Sequence, residues 1–324
     1  MSSRAGSGQS RRLAVIFHPH KINPNKLVEL VERTTKGHGF EETLWLETSP
    51  EQSGGPQAER AISLGATQLL VVGGDGTIRP IIEVIRGTEV GMGIVPVGTG
   101  NVLARNLGLQ LTNLERAIRA GIHGTARQID IGRVAFETPE GSRGNLCFAV
   151  MAGLGLDAKI MMNTDIKLKR RIGWIAYIDG GMKSLPARRQ KIEVMVDGTH
   201  QRTLRVQSLL IGNCGFLPGN ISLMPDAKLD DGLLDVAAVG PRNSIDWVIF
   251  WSRVTWQNAW FWGTRLGRKM LLTVTPLTIL ENLTGRAILV TVESPIALQL
   301  DGDAFVQVTR AEFMVLPKAI RIIA

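Results

Sequence analysis

The chain has 324 residues and a mass of 35.3 kDa, with 44% hydrophobic and 20% charged residues, so it can bury a sizeable core and is neither a disulfide-stapled mini-protein nor mainly disordered. Its 37 Lys plus Arg against 29 Asp plus Glu give +8 at pH 7 and a pI near 9.9, so partners of negative charge are expected: phosphates, nucleic acid or an anionic membrane surface. The two cysteines, Cys147 and Cys214, are far apart and lack the spacing of a disulfide framework or zinc cluster, which fits a reducing cytoplasm.

Residues 1–12 are rich in Ser, Gly and Arg without the apolar centre of a signal peptide, and read as a disordered leader. Leu13–Phe17 is a short apolar run ended by His18-Pro19, the pattern of a buried parallel strand entering a loop, and Lys26–Thr35 reads as a helix. A second buried strand, Leu69–Val72, runs into Gly73-Gly74-Asp75-Gly76-Thr77, after which Ile78–Ile85 resumes helical periodicity. A third, Gly93–Val97, opens into Gly98-Thr99-Gly100-Asn101, followed by a helical stretch from Val102 to Leu107. Strand, glycine loop and helix thus occur twice within about 40 residues, the signature of parallel α/β units. An α/β domain is therefore placed at 13–130.

Beyond Asp130 the pattern changes to short strands bounded by Gly, Pro and Asp: Asn145–Met151, Lys191–Val196, Ser208–Ile211 and Leu234–Val239. Ile160–Met182 and Ile245 to about Leu266 read as helices. Residues 131–324 are accordingly expected to form a mostly antiparallel, β-rich domain, whose last residues could return to the first. Apolar runs stop short of the roughly 20 residues of a spanning helix, so the chain is expected to touch a membrane without crossing it.

A glycine cluster at the C-terminal end of a buried strand lets main-chain N–H groups turn toward one point, and the following helix adds its positive end there. Such a place suits phosphate. One G-G-D-G-T segment is equally a tight strand-to-helix turn, but a second loop at the next strand's end, where α/β ligands collect, favours a nucleotide. No G-x-x-x-x-G-K-[ST] occurs, no G-x-G-x-x-G follows a strand, and neither H-R-D nor D-F-G is present. These absences turn the reading away from a Walker-type, Rossmann or protein-kinase site.

Val72-Gly73-Gly74-Asp75-Gly76-Thr77, Pro96-Val97-Gly98-Thr99-Gly100-Asn101, Leu229-Asp230-Asp231-Gly232-Leu233-Leu234-Asp235 and Leu300-Asp301-Gly302-Asp303 occur in that order. Together they resemble the diacylglycerol kinase catalytic-domain family of bacterial lipid, sphingosine and ceramide kinases, with NAD kinases as distant relatives. The resemblance spans roughly residues 13–318, and Lys167–Tyr177 also looks like a segment of bacterial members. It implies a three-layer α/β domain with a parallel sheet that binds ATP, and a C-terminal β-rich sandwich domain facing the lipid. It also implies Mg²⁺ and transfer of the γ-phosphoryl group to the hydroxyl of diacylglycerol or a related lipid in phospholipid metabolism.

On the family pattern, Thr48, Gly73, Gly74, Asp75, Gly76, Thr77, Gly98, Thr99, Gly100 and Asn101 match the nucleotide-binding segments. Asp231 matches a magnesium ligand, with Lys228 and Leu233 contributing main-chain carbonyls, and Asp301 and Asp303 match the acidic pair holding the general base. Taken alone, Asp230-Asp231-Gly232 and Asp301-Gly302-Asp303 read as plain hairpin turns. Phosphoryl transfer itself needs alignment, metal neutralisation of phosphate charge and a carboxylate near the attacking hydroxyl, and Mg²⁺ is satisfied by few protein oxygens. Bacterial relatives often carry D-G-E where Asp303 stands, which leaves the base open between Asp301 and Asp303.

Two segments depart from the family pattern. His18-Pro19-His20-Lys21 replaces N-P-x-S-G after the first strand, and Val102 replaces the aspartate of G-T-x-N-D. The alternatives kept are a sphingosine- or ceramide-type kinase and a nucleotide-regulated lipid-binding protein without turnover, with NAD kinase ranked lower. Five of seven tryptophans lie at Trp247, Trp251, Trp256, Trp260 and Trp262, beside Arg253, Arg265, Arg268 and Lys269. On one helix they would present two aromatic faces, either packed on protein or meeting an anionic membrane at headgroup depth. A cytoplasmic, peripherally membrane-associated protein follows, without nucleic acid as partner and with a homodimer possible.

Overall fold

The computed structural model describes residues 11–155, 189–217, 221–239 and 283–324. The leader, the 160–182 and 245–266 segments, the Lys167–Tyr177 resemblance and the tryptophan cluster lie largely or wholly outside them. In chain order the elements are β1 (Leu13–Phe17), α1 (Pro24–Thr35), β2 (Leu44–Glu47), α2 (Gly55–Ser63), β3 (Gln68–Gly73), α3 (Asp75–Ile85), β4 (Gly91–Pro96), α4 (Val102–Asn106) and α5 (Leu114–His123). Then follow β5 (Ala126–Glu137), β6 (Arg143–Phe148), β7 (Met151–Leu154), β8 (Gln190–Val196), β9 (His200–Val206), β10 (Ser208–Gly212), β11 (Phe216–Leu217), β12 (Ile221–Ser222), β13 (Leu234–Val239), β14 (Leu283–Gly285), β15 (Ala287–Leu300) and β16 (Asp303–Ile323). They group into two units, one of residues 1–98, 109–128 and 320–324, the other of 99–108 and 129–319.

In the first unit the strands run parallel in the order β2-β1-β3-β4, and residues 321–323 at the end of β16 add a further parallel pairing on β4. β1, β3 and β4 are buried throughout, as continuous apolar runs in a parallel sheet should be. α1 starts where Asn23 caps the Lys26 N–H and Pro24 presets the first turn, and buries Leu27, Leu30 and Val31. The same logic starts α5 at Asn113, whose side chain accepts from the Arg116 N–H. The chain leaves β1 toward β2 on one side and passes to β3 on the other, so the order reverses between β1 and β3. Ligands of open α/β sheets collect at such a reversal, beyond the strands' C-terminal ends.

The second unit is antiparallel β around its own core, which includes Phe148, Leu154, Val194, Ile211, Leu298 and Phe313. Its strands follow the order β14-β13-β10-β7-β15-β16, with β5 joining β6 to β16 and β8 joining β9 to β15. On the side away from β16, β15 serves two partners: Ile288–Val292 pair with β8, and Leu298–Leu300 with β7. Its register against β16 slips between Thr291 and Ile296, the stretch that contains Pro295. A proline that cannot donate to the ladder is tolerated at such a bulge, which bends the strand between its two partners.

Candidate functional site

In the first unit, β3 ends at Gly73 and α3 begins at once, with Gly74 as its N-cap. The Gly74 carbonyl accepts from the N–H of Thr77 and Ile78, at 2.9 and 3.1 Å, which winds the first turn directly onto the strand. A side chain at Gly73 would put its Cβ 2.8 Å from the Cβ of Thr77, whereas Gly76 is exposed and has no atom near its would-be Cβ. Gly73 is thus required by packing inside the turn, and Gly76 keeps the outer side of the helix start open. Gly74, the N-cap, has no side chain with which to cap α3, and the positive end of a helix attracts anions. Thr77 is buried, and Asp75 lies in the first turn.

Thr48 follows β2, buried, with its N–H on the Phe17 carbonyl at 2.8 Å. It holds the end of β1 beside the sheet's reversal point. The departing loop, His18 to Lys21, is closed locally: the Lys21 N–H donates to the His18 carbonyl at 2.9 Å, and the His20 N–H meets His18 Nδ1 at 3.3 Å. Lys21 also lines a cavity of about 230 Å³ with Ile22, Pro96, Thr112 and Asn113.

The second glycine loop starts at Gly98 in the first unit, while Thr99, Gly100 and Asn101 belong to the second. Asn101 is buried at φ 46°, and α4 follows it. Asn106 on α4 clamps Phe216, its Nδ2 donating to the carbonyl at 2.8 Å and its Oδ1 accepting the N–H at 3.1 Å.

Both acidic motifs lie in the second unit. Asp301-Gly302 is the two-residue turn between β15 and β16, at φ 49° and 90°, a hairpin geometry that suits Asp-Gly. It is more than a plain turn. The Asp301 carboxylate accepts the N–H groups of Ala149, Val150 and Met151 at 2.8, 2.8 and 3.0 Å, across the break between β6 and β7. Asp303 opens β16 and is exposed.

The Asp231 motif is a turn ahead of β13, with Gly232 at φ 74°. Asp231 is exposed, and its Oδ1 accepts the Leu233 N–H at 3.1 Å. Lys228 is exposed and Leu233 partly exposed. A solvent-reachable carboxylate such as that of Asp231 is the oxygen chemistry that suits Mg²⁺, which keeps several waters. Asp226 and Asp231 stand close enough to Asp235 that burial, reinforced by their charges, pushes its carboxyl up to about 6.

Two residues that the motifs did not single out organise this unit. Asp130, 1% exposed, accepts the Gly232 N–H on Oδ2 and the Lys318 N–H on Oδ1, both at 2.7 Å, while its own N–H donates to the Leu229 carbonyl at 2.7 Å. It therefore fixes both flanks of the Asp231 turn. Asn213, fully buried, donates from Nδ2 to the carbonyls of Asp130 and Ala149. The available signal was polarity out of place: a charge inside the apolar run Ile129 to Ile131, and an amide closing Leu209 to Ile211, must each have partners once buried.

Residues 12–134 match the diacylglycerol kinase catalytic domain, and residues 150–255 match the YegS C-terminal NAD kinase beta sandwich-like domain. A diacylglycerol kinase of Bacillus subtilis is 26% identical over 245 residues, covering 74% of this chain and 77% of that protein. A Pseudomonas aeruginosa protein described as "Probable lipid kinase YegS-like" is 32% identical over 214 residues, 61% of this chain and 67% of its own length. The crystal structure of a diacylglycerol kinase from Bacillus anthracis superposes with a TM-score of 0.70 at 19% identity, covering 98% of each chain, and so shares the fold. Parallel α/β and β-rich units carrying these motifs are the build of a lipid kinase. The chain belongs to the diacylglycerol kinase catalytic-domain family, alongside the YegS-like lipid kinases.

Proposed function

We propose that this protein transfers the γ-phosphoryl group of ATP to the hydroxyl of diacylglycerol or a closely related lipid, releasing the phosphorylated lipid and ADP. The observation that carries the reading is the start of α3, a helix end with Gly73, Gly74 and Gly76 around it beyond β3, at the sheet's reversal point. Thr48, Gly73 to Thr77 and Gly98 to Asn101 take the nucleotide. Asp231, with the Lys228 and Leu233 carbonyls, would hold Mg²⁺, which when bound offsets phosphate charge. Asp303 takes the proton of the lipid hydroxyl, because it is the exposed member of its pair. Asp301, already committed to three N–H groups, holds the turn.

Among the described residues no helix is long and apolar enough to cross a membrane. The net charge of +8 and the Trp247 to Trp262 segment support peripheral contact with an anionic bilayer.

The test is incubation of the purified chain with γ-labelled ATP, Mg²⁺ and separate vesicles of diacylglycerol, sphingosine or ceramide. Label in phosphatidic acid supports the proposal, and label in the other lipids moves the acceptor to the sphingoid class. Saturable lipid and nucleotide binding without label in any lipid would replace the kinase by a binding protein.

A further inference from the structure

Asn213 follows β10 at the centre of the second unit and has no exposed surface. Its Nδ2 makes two bonds of 2.9 Å, to the carbonyls of Ala149 and Asp130, and its N–H donates to the Val150 carbonyl at 2.9 Å. Ala149 and Val150 are two of the three residues whose N–H groups hold the Asp301 carboxylate. Asp130 is the residue that fixes Gly232 and Leu229 around Asp231. One amide therefore joins the segment under the Asp301-Gly302-Asp303 turn to the segment under the Asp231 turn.

This residue is an expensive choice for a core. Among the described residues its buried Oδ1 has no hydrogen-bond partner, a state that lowers stability relative to an apolar side chain of similar volume. Aspartate, its nearest isostere, would turn acceptor oxygens toward two carbonyls and supply neither bond. An amide at this position gives two donors that fix two separate backbone segments at one distance from each other.

We propose that Asn213 is a positioning residue that sets the carboxylate turn at 301–303 and the metal-binding turn at Asp231 in register with each other. The inference rests on the kinase reading for the roles of those turns. It predicts that changes at Asn213 affect metal affinity and turnover together, although Asn213 touches neither metal nor substrate.

The experiment compares the full-length wild type with N213S, N213D and L204A. Leu204 lies in the same core on β9, which none of these bonds reaches. Mn²⁺ affinity without nucleotide, kcat, the ATP KM and amide hydrogen exchange are measured. Outer-shell partners of a metal site commonly contribute 10- to 100-fold in affinity. Expected are an about tenfold or greater weakening of Mn²⁺ binding and a parallel fall in kcat for both Asn213 variants, with the ATP KM little changed. L204A should lose thermal stability through its cavity and leave both readouts in place. In the wild type, Mn²⁺ should slow exchange at Gly232 and also at 149–151, and in N213S only at Gly232.

The proposal is overturned if folded N213S and N213D keep wild-type Mn²⁺ affinity and kcat, if L204A shifts them equally, or if protection in the wild type stops at Gly232. Should neither Asn213 variant fold, the wild-type exchange pattern decides by itself. A wild type that shows protection of both segments yet phosphorylates no lipid refutes the kinase reading alone. Active wild type with indifferent variants refutes the role of Asn213 alone.

Discussion

Asp301 and Asp303 are separated by one glycine and meet opposite fates: Asp301 turns its carboxylate inward onto three main-chain N–H groups, while Asp303 faces solvent at the start of β16. A carboxylate whose oxygens already accept three N–H bonds serves as a backbone anchor. The two aspartates should therefore fail differently. Asp303→Asn is expected to lose at least about a hundredfold in turnover, the usual worth of a general base, with a melting temperature close to wild type. Asp301→Asn should cost about 2–3 kcal/mol of stability, because its amide nitrogen must face one of the donated N–H groups. Thermal melts paired with single-turnover kinetics check this. Loss of turnover without loss of stability in D301N would exchange the two roles.

The two glycines of the α3 start make a second contrast. Gly73→Ala forces its Cβ to within 2.8 Å of Thr77 in a buried turn and should destabilise by about 1–3 kcal/mol. Gly76→Ala meets no atom and lies in a helical turn, where alanine is preferred by up to about 1 kcal/mol. Its methyl group nevertheless occupies the open side of the helix end. G76A is expected to melt at or above wild type while binding ATP at least about tenfold more weakly, a loss of about 1.4 kcal/mol. Unchanged ATP affinity in G76A would remove the α3 start from the nucleotide site.

The sequence showed most clearly what is local. Continuous apolar runs located β1, β3 and β4, and glycine placement located the loops that follow them, because a buried parallel strand and its exit turn are set by neighbouring residues. The predicted strand from Asn145 to Met151 is instead interrupted at Ala149 and Val150, whose N–H groups turn to Asp301 some 150 residues away. No local pattern encodes that bond. The 301–303 segment reads correctly as a hairpin turn, yet the use of its first carboxylate is invisible until β7 lies beside β15. Asp130 and Asn213 were missed for the same reason, since their partners are distant backbone groups that carry no residue signature.

Asp130 offers a prediction on metal dependence. Both of its oxygens accept N–H groups from separate segments, so Asp130→Asn keeps the shape but sets an amide nitrogen against either Gly232 or Lys318. A loss of about 2–4 kcal/mol is expected for disrupting a buried, hydrogen-bonded carboxylate. The Asp231 turn should loosen with it, raising the Mg²⁺ concentration for half-maximal activity at least about tenfold. A Mg²⁺ titration of activity below the variant's melting temperature tests this. A stability loss with an unchanged titration midpoint would make Asp130 purely a fold residue.

Asp235 provides a pH signature of the same region. It is 4% exposed, and burial together with the charges of Asp231 and Asp226 raises its carboxyl to about 6 in the folded chain, against 3.8 as the ordinary value. Below pH 3.8 both folded and unfolded states hold the proton, and Asp235 costs nothing. Between 3.8 and about 6 the unfolded chain releases the proton first, so stability falls as pH rises through that window and stays lowered above it. Asp235→Asn should therefore stabilise the protein by roughly 1–3 kcal/mol at neutral pH, the upper figure being the whole worth of the shift, and the advantage should vanish below pH 4. Mg²⁺ bound at Asp231 offsets the same repulsion, so its addition at pH 7 should narrow the gap between variant and wild type. Chemical denaturation at pH 4 and pH 7, with and without Mg²⁺, measures all four values. A D235N advantage that is equal at both pH values would show that the gain comes from packing and that the three aspartates do not interact.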